Sequence, residues 1–210
     1  MKTGVMFGLG ALAVAAVAVA AMPLQDAKAK TRGDEKGAHA ADPMHEAYMK
    51  AAQPGAEHAE MKSNVGTWQA QVKSFHEPGQ PPAESTGTSR YEMVMGDRFL
   101  VEHFAGEMPG MGPMEGMGIL AFNNITQEYE HVWFDSFGTG LLITRGKPAE
   151  DGTLTMRGQM DNPLGESKFP CRLVITPTGE NEKRFEMYCS MNGPETKMME
   201  ITYTRQGAGR

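Results

Sequence analysis

About ten strand-like segments follow one another between Thr67 and Arg205, and only short turn sequences separate them. Segments such as "TWQAQVKSF", "EYEHVWFD" and "FPCRLVITP" alternate in side-chain character with a period of two, which is typical of β-strands. Turns such as "PGQPP", "NNITQ" and "TGENE" are too short to hold the crossover helices that parallel strands need. The spacing therefore predicts an all-β fold built as an antiparallel meander.

A meander of this length must hide the two free edges of its sheet. Closure into an up-and-down barrel removes both edges, whereas a sandwich of two sheets is the alternative. We expect a closed barrel over residues 67–205, followed by a disordered tail at 206–210.

An uncharged run rich in alanine, valine and leucine follows Lys2 near the start of the chain. This pattern predicts a secretory signal peptide over residues 1–20, with cleavage as late as residue 29 as a variant. An uncleaved N-terminal anchor is the alternative, because the run is about long enough to span a bilayer.

Residues 21–42 mix small and charged side chains with little to bury, which predicts a flexible tether. Residues 43–66 carry helix signals: Asp42 is a suitable N-cap, Pro43 suits a first turn, and Pro54 interrupts the pattern. We therefore expect short helices that lead into the barrel.

The chain has 20 Lys and Arg against 26 Asp and Glu residues, a formal net charge of −6. This balance argues against a nucleic-acid partner, for which a basic surface is typical. With the predicted signal, it favours a periplasmic or secreted protein that has no membrane partner after cleavage. No oligomeric state follows from the sequence.

The two cysteines, Cys171 and Cys189, lie symmetrically about residue 180 in the turn region "PTGEN". If the hairpin is centred there, the two residues face each other across neighbouring strands, close to disulfide range. Export would permit the bond. We predict a disulfide, with two buried free thiols as the alternative.

Alternation also suggests which side chains line the interior. Tyr129, His131, Trp133 and Asp135 share one face of "QEYEHVWFDS", and this mixture of aromatic and polar groups is typical of a cavity wall. A half-exposed sheet can show the same mixture. The complete set of predicted ligand-binding residues is Trp68, Phe99, His103, Tyr129, His131, Trp133 and Asp135.

The segment "GEMPGMGPMEGMG", residues 106–118, places four methionines at a spacing of three. We expect an adaptable apolar loop that covers one end of the barrel. A plain hairpin is one alternative, and a Cu(I) site is another because thioethers are soft ligands. The methionines concerned are Met108, Met111, Met114 and Met117.

No nucleophile elbow, carboxylate pair or phosphate-binding glycine loop stands out in the sequence. We therefore expect a binding protein rather than an enzyme, with no catalytic residues, and we predict no cofactor. The other histidines are expected to be exposed: His39, His45, His58 and His76.

The order of several motifs over residues 54–205 resembles DUF1579, an exported bacterial family of unknown function. Asp97 stands where such proteins often have a second glycine. The resemblance implies export and a lipocalin-type barrel of the calycin group, and it transfers no catalytic residues. The motifs are His58 in a helix, Gly66 with Trp68, Pro78 with Gly79, residues 95–100, the methionine segment, and Trp133 to Asp135.

These expectations combine into an exported barrel that binds a small apolar or amphipathic molecule inside. A structural or interaction barrel with a filled core is the first alternative. A copper-handling protein that uses the methionine segment is the second.

Overall fold

The computed structural model describes residues 42–76, 79–165, 167–191 and 193–207. The predicted signal peptide and all but the last residue of the predicted tether lie outside the described residues, as does the end of the predicted tail. Those predictions therefore stay predictions.

Two short helices precede the strands: α1 spans Pro43–Ala51 and α2 spans Ala56–Lys62. The Asp42 carboxylate caps α1 by accepting a hydrogen bond of 3.0 Å from the backbone N–H of Met44. The predicted short N-terminal helices are confirmed. Neither helix in the described part of the chain is long and apolar enough to cross a membrane.

Ten antiparallel strands form one closed up-and-down barrel, as predicted. Each strand pairs with its neighbours in sequence, and the first strand pairs with the last, with Ala70 opposite Tyr203. This closure excludes the sandwich. The strands are β1 Gly66–Ser74, β2 Ala83–Val94, β3 Phe99–Met108, β4 Gly112–Asn123, β5 Glu128–Asp135, β6 Leu142–Pro148, β7 Leu154–Asp161, β8 Lys168–Gly179, β9 Glu182–Cys189 and β10 Thr196–Arg205.

The two ends of the barrel differ. We call the end that carries α2 and the β2–β3, β4–β5, β6–β7 and β8–β9 turns the helical end, and the opposite end the far end. Met61 of α2 is buried, and the residues around it pack against β3 and β4 at the helical end. The helix thus covers part of that end.

His58 is a correction to the sequence-based expectation that it is exposed, since only 5% of its surface is accessible. Its Nδ1 accepts a hydrogen bond of 3.0 Å from the backbone N–H of Gly55 at the start of α2. Its ring meets Phe122 edge to face, with 6.0 Å between centroids. The histidine is buried because it caps its own helix while it packs on the barrel.

Candidate functional site

A cavity of about 1240 Å³ fills the interior of the barrel. It reaches Gly152 and Asn181 at the helical end, and Pro163 and residues 137–141 at the far end. Several large apolar side chains face it and keep part of their surface uncovered, among them Leu120, Trp133 and Phe185. The interior is therefore not packed solid by the protein's own side chains.

Small residues at inward positions explain why this space exists. Large and small residues share the inner face. Glycine, alanine or serine recurs at inward positions of strands β1 to β4, β6 and β7. These small inward residues are Ala70, Ser85, Gly87, Ser89, Gly106, Gly116, Gly118, Gly146 and Gly158.

Two of the aromatic walls depend on such glycines. A Cβ atom on residue 116 would overlap the indole ring of Trp133, and a Cβ on residue 87 or 106 would overlap the ring of Phe104. The two rings meet edge to face with 6.4 Å between centroids. Glycine at these positions therefore lets both rings lie flat along the wall.

The structure brings together five of the seven predicted ligand-binding residues. Trp68 of β1 lines the cavity, and so do all four predicted side chains of β5. Trp133 is oriented by Asp135, whose Oδ2 accepts a hydrogen bond of 2.9 Å from the indole Nε1–H. The β5 residues are Tyr129, His131, Trp133 and Asp135.

Phe99 and His103 are corrections, because both lie on the outer face of β3. Phe99 is 37% exposed, and Nε2 of His103 lies 3.2 Å from Oε1 of Glu92 on the outside. The opposite face points inward and carries Leu100, Glu102 and Phe104. That face points inward because it buries a leucine and a phenylalanine together, and because groups in the interior form hydrogen bonds with its carboxylate.

Those partners form a buried polar cluster that the sequence analysis missed. Oε1 of Glu102 accepts hydrogen bonds from the hydroxyl groups of Ser89 at 2.6 Å and Tyr203 at 3.4 Å. Burial, together with the nearby charge of Glu102, holds the pKa of Tyr203 and of Tyr91 well above the usual value for a phenol. Both phenols are therefore neutral hydrogen-bonding groups.

Lys183 of β9 is the basic member of this region. Its Nζ donates a hydrogen bond of 3.0 Å to Oδ1 of Asn64, and it lies 3.9 Å from the ring centroid of Tyr91 and 4.7 Å from that of Trp68. Burial lowers the pKa of the Lys183 ammonium group to about 8. The amine is still charged at neutral pH.

A period-two pattern could have found Lys183. The sequence places Phe185, Met187 and Cys189 on one face, and one further step back along β9 reaches Lys183. A charged residue at an inward position was the signal that the interior has a polar region.

His131 projects into the same part of the cavity. Its Nδ1 is buried and has no hydrogen-bond partner among the described residues. Burial lowers the pKa of the imidazole to about 4, so the ring is neutral at physiological pH. Its Nε2 lies 3.3 Å from the point that a Cβ on Gly118 would occupy.

These observations divide the cavity into two parts. The helical half holds the polar and aromatic groups Trp68, Tyr91, Glu102, His131, Lys183 and Tyr203. The far half holds five methionines, namely Met108, Met114, Met160, Met187 and Met199.

The methionine segment forms a β-hairpin at the far end of the barrel, and most of it is paired strand rather than loop. Strands β3 and β4 continue through it, with Met108 opposite Gly112, and only residues 109–111 form the turn. Met108 and Met114 line the cavity wall. The segment keeps strand geometry because each of its residues outside the turn has a pairing partner.

The four sulfur atoms consequently do not converge as one Cu(I) site would require. Met111 at the turn is 63% exposed, and Met117 lies on the outer face opposite His103. Among the described residues, no group of three His, Cys, Asp or Glu side chains is placed to hold a metal ion.

A disulfide joins Cys171 of β8 to Cys189 of β9 at the far half of the barrel. The two residues are directly opposed in the strand register, with their Cα atoms 4.3 Å apart. Both are buried. The crosslink therefore ties together the far ends of two neighbouring strands.

The fold is similar to those of solved structures that share little sequence with this chain. The S-type phycobiliprotein lyase CPES from Guillardia theta matches with a TM-score of 0.54 and 10% identity, covering 77% of this chain and 98% of its own. Rv2717c from M. tuberculosis matches with a TM-score of 0.51 and 14% identity, covering 74% of this chain and 100% of its own. At these identities the similarity shows the fold alone. No curated protein matches the chain in sequence.

A family profile matches most of the part of the chain that the structure describes. The match covers residues 53–205, from just after α1 to the end of β10, and its description is "Protein of unknown function (DUF1579)". It includes the helix of His58 and all ten strands. The chain therefore belongs to the DUF1579 family, whose barrel here has the lipocalin-type form.

Proposed function

We propose that this protein binds a small apolar or amphipathic molecule inside its barrel. The observation that carries the proposal is the cavity of about 1240 Å³ with aromatic and aliphatic walls. Ligand cavities usually combine such walls with a few placed polar groups. Here Glu102, His131 and Asp135 are among the polar groups that face the space.

The small inward residues favour this proposal over a barrel with a filled core. Empty apolar space in a protein interior costs stability because the lining atoms lack packing partners. Glycine at positions 87, 106 and 116 lets the rings of Phe104 and Trp133 lie against the wall, where a Cβ atom would push them away from it. A bound molecule would supply the missing contacts.

The comparisons support the proposal at the level of the fold. One of the similar barrels is named as a phycobiliprotein lyase, so this architecture occurs in a protein that handles another molecule. The identity of 10% is too low to transfer any substrate to this chain.

We further propose that the protein works after export, in the periplasm or outside the cell. The signal-like residues 1–20 motivate this proposal. The disulfide between Cys171 and Cys189 supports it, because such bonds persist mainly in oxidising compartments. Fractionation of the native host would test it: recovery of the protein in the cytoplasm with residue 1 intact would contradict export.

Binding can be tested with Nile red, a neutral apolar dye, because both tryptophans of the chain line the cavity. We expect saturable dye fluorescence together with quenching of tryptophan emission. Trp133→Ala should weaken dye binding about tenfold, since it removes a large aromatic contact.

Phe99→Ala is the matched control, because Phe99 is an aromatic residue on the outer face of β3, two strands away from the β5 strand of Trp133. It should leave the dye affinity within about twofold. Absence of saturable binding by the folded protein, or equal losses in the two variants, would overturn the proposal.

A further inference from the structure

The cavity carries more negative than positive charge. Seven Asp and Glu side chains border it, five of them exposed at its two ends, against two basic side chains, Lys183 and Arg205. Within the described part of the chain, Asp161 alone among the seven forms an ion pair, with Lys168 outside the cavity. Glu102 and Asp135 are the two carboxylates that are not exposed, so they are the acidic groups that a positively charged group inside the cavity could meet.

The two basic side chains are already engaged by the protein. Arg205 donates hydrogen bonds to the backbone carbonyl groups of Val65 at 2.6 Å and Ser63 at 2.5 Å. Lys183 donates to Asn64, lies against the rings of Trp68 and Tyr91, and is near enough to Glu102 for the two charges to attract. Neither is presented as a free anchor for an anionic group.

A hollow with unused acceptor capacity lies over Gly118 in the middle of β4. Oε2 of Glu102 and Nε2 of His131 lie 3.4 Å and 3.3 Å from the point that a Cβ on residue 118 would occupy. The hydroxyl groups of Ser89 and Tyr203 bind Oε1 of Glu102, the Tyr91 hydroxyl also contacts this carboxylate, and Oε2 is the oxygen that faces the hollow. His131 is neutral and brings no competing positive charge.

The surroundings of the hollow also suit a cation. Trp133 pairs with Gly118 across β4 and β5, and its aromatic ring lies over Gly116, the next inward glycine of β4. Aromatic faces attract cations, most strongly where water is excluded. The small size of the hollow, which one glycine keeps open, favours a primary amine over a bulky quaternary group.

We propose that Glu102, His131 and the hollow over Gly118 bind the amino group of an amphipathic amine, whose apolar part lies against the methionines of the far half. This inference rests on the proposed function and names the chemical class of its ligand. Glu102 accepts a charge-assisted hydrogen bond from the ammonium group, and the rest of the molecule is buried by apolar contact.

The test compares three molecules with the same chain: decylamine, decanol and decanoate, each titrated at pH 7.5 in competition with Nile red. We expect decylamine to bind about tenfold more tightly than decanol, and decanoate to bind more weakly than decanol. Decanoate affinity equal to or above that of decylamine would overturn the inference.

Glu102→Gln separates charge from shape, because the amide can still accept the hydroxyl hydrogen bonds. We expect decylamine affinity to fall about tenfold while decanol affinity stays within about twofold. Glu115→Gln makes the same charge change on the outer side of β4, at an exposed position away from the cavity, and should change neither affinity. Equal effects of the two substitutions would contradict the assignment of Glu102.

Gly118→Ala is a second variant that leaves every charge in place. The added Cβ would sit at 3.3–3.4 Å from His131 and Glu102, a tight distance that folding tolerates with small shifts. Decylamine affinity should fall about tenfold, with Nile red affinity retained. If Nile red and all three decyl compounds fail to bind, the proposed function is wrong; if they bind without regard to head group, only the amine inference is wrong.

Discussion

The two halves of the cavity are built from different chemistry. The helical half holds hydroxyl, carboxylate, imidazole and ammonium groups fixed by specific hydrogen bonds, such as that from Ser89 to Glu102 at 2.6 Å. The far half holds five methionines, whose side chains are flexible and polarisable. The difference suggests one half that recognises a defined polar group and another that adapts to apolar parts of varied shape.

The largest expected effect comes from the crosslink in the far half. Replacing Cys171 and Cys189 together by alanine should lower the free energy of unfolding by about 3 kcal/mol, because the bond closes a loop with a sequence separation of 18. Urea denaturation would measure the loss. We also expect faster amide exchange at the far ends of β8 and β9 than at their helical ends. Uniform exchange along both strands would argue that the two halves depend on each other for rigidity.

The second effect tests the helical half through pH. The pKa of His131 is about 4 in the folded protein, against 6.5 for an unperturbed histidine. Between these values the unfolded chain binds a proton that the folded one does not, so stability is lost as pH falls from 6.5 to 4 and levels off below that. We expect the free energy of unfolding to fall by about 2 kcal/mol over this range. The fall is smaller than the difference between the two pKa values alone would give, because the side chain keeps some exposure to solvent.

His131→Gln should remove this part of the acid destabilisation, measured by urea denaturation at pH 7 and pH 4.5. His103→Gln is the control, because His103 lies on the outer face of β3 beside Glu92. A pH dependence that persists in the first variant or disappears in the second would place the responsible group elsewhere.

The smallest expected effect on stability comes from the far half itself. Replacing Met187 and Met199 together by leucine keeps the side-chain volume nearly constant and should change the free energy of unfolding by less than about 1.5 kcal/mol. The branched side chains should instead narrow the range of alkyl chain lengths that bind. Affinities of a series from octylamine to tetradecylamine would show this, and an unchanged profile would contradict the adaptive role of the methionines.

The fold was predictable because the strand signals agree with one another. Turn spacing predicted ten antiparallel strands, and the symmetry of Cys171 and Cys189 about residue 180 matches the register found between β8 and β9. On β5, the face that mixes aromatic and polar residues, a mixture that a half-exposed sheet could also show, lines the cavity and includes Trp133.

The site was less predictable, because strand alternation identifies two faces without saying which one points inward. On β3, Phe99 and Glu102 belong to opposite faces, and the face with the carboxylate points inward. That choice depends on the hydroxyl groups of Ser89 on β2 and Tyr203 on β10, which bind Glu102. β10 is far from β3 in sequence, and β2 contacts β3 only once the two strands have paired. In the methionine hairpin, glycine and proline suggested a longer turn, whereas pairing extends β3 and β4 up to the turn at residues 109–111.

The closure between β1 and β10 has a consequence for how any guest could be accommodated. The paired backbone of ten strands fixes the diameter of the barrel. Separating two strands to admit a wider molecule would break the hydrogen bonds between them. The width of the cavity can therefore change only where side chains rotate. In the far half, the unbranched methionine side chains can rotate in this way. The barrel therefore combines a rigid backbone wall with an adaptable inner surface at one end.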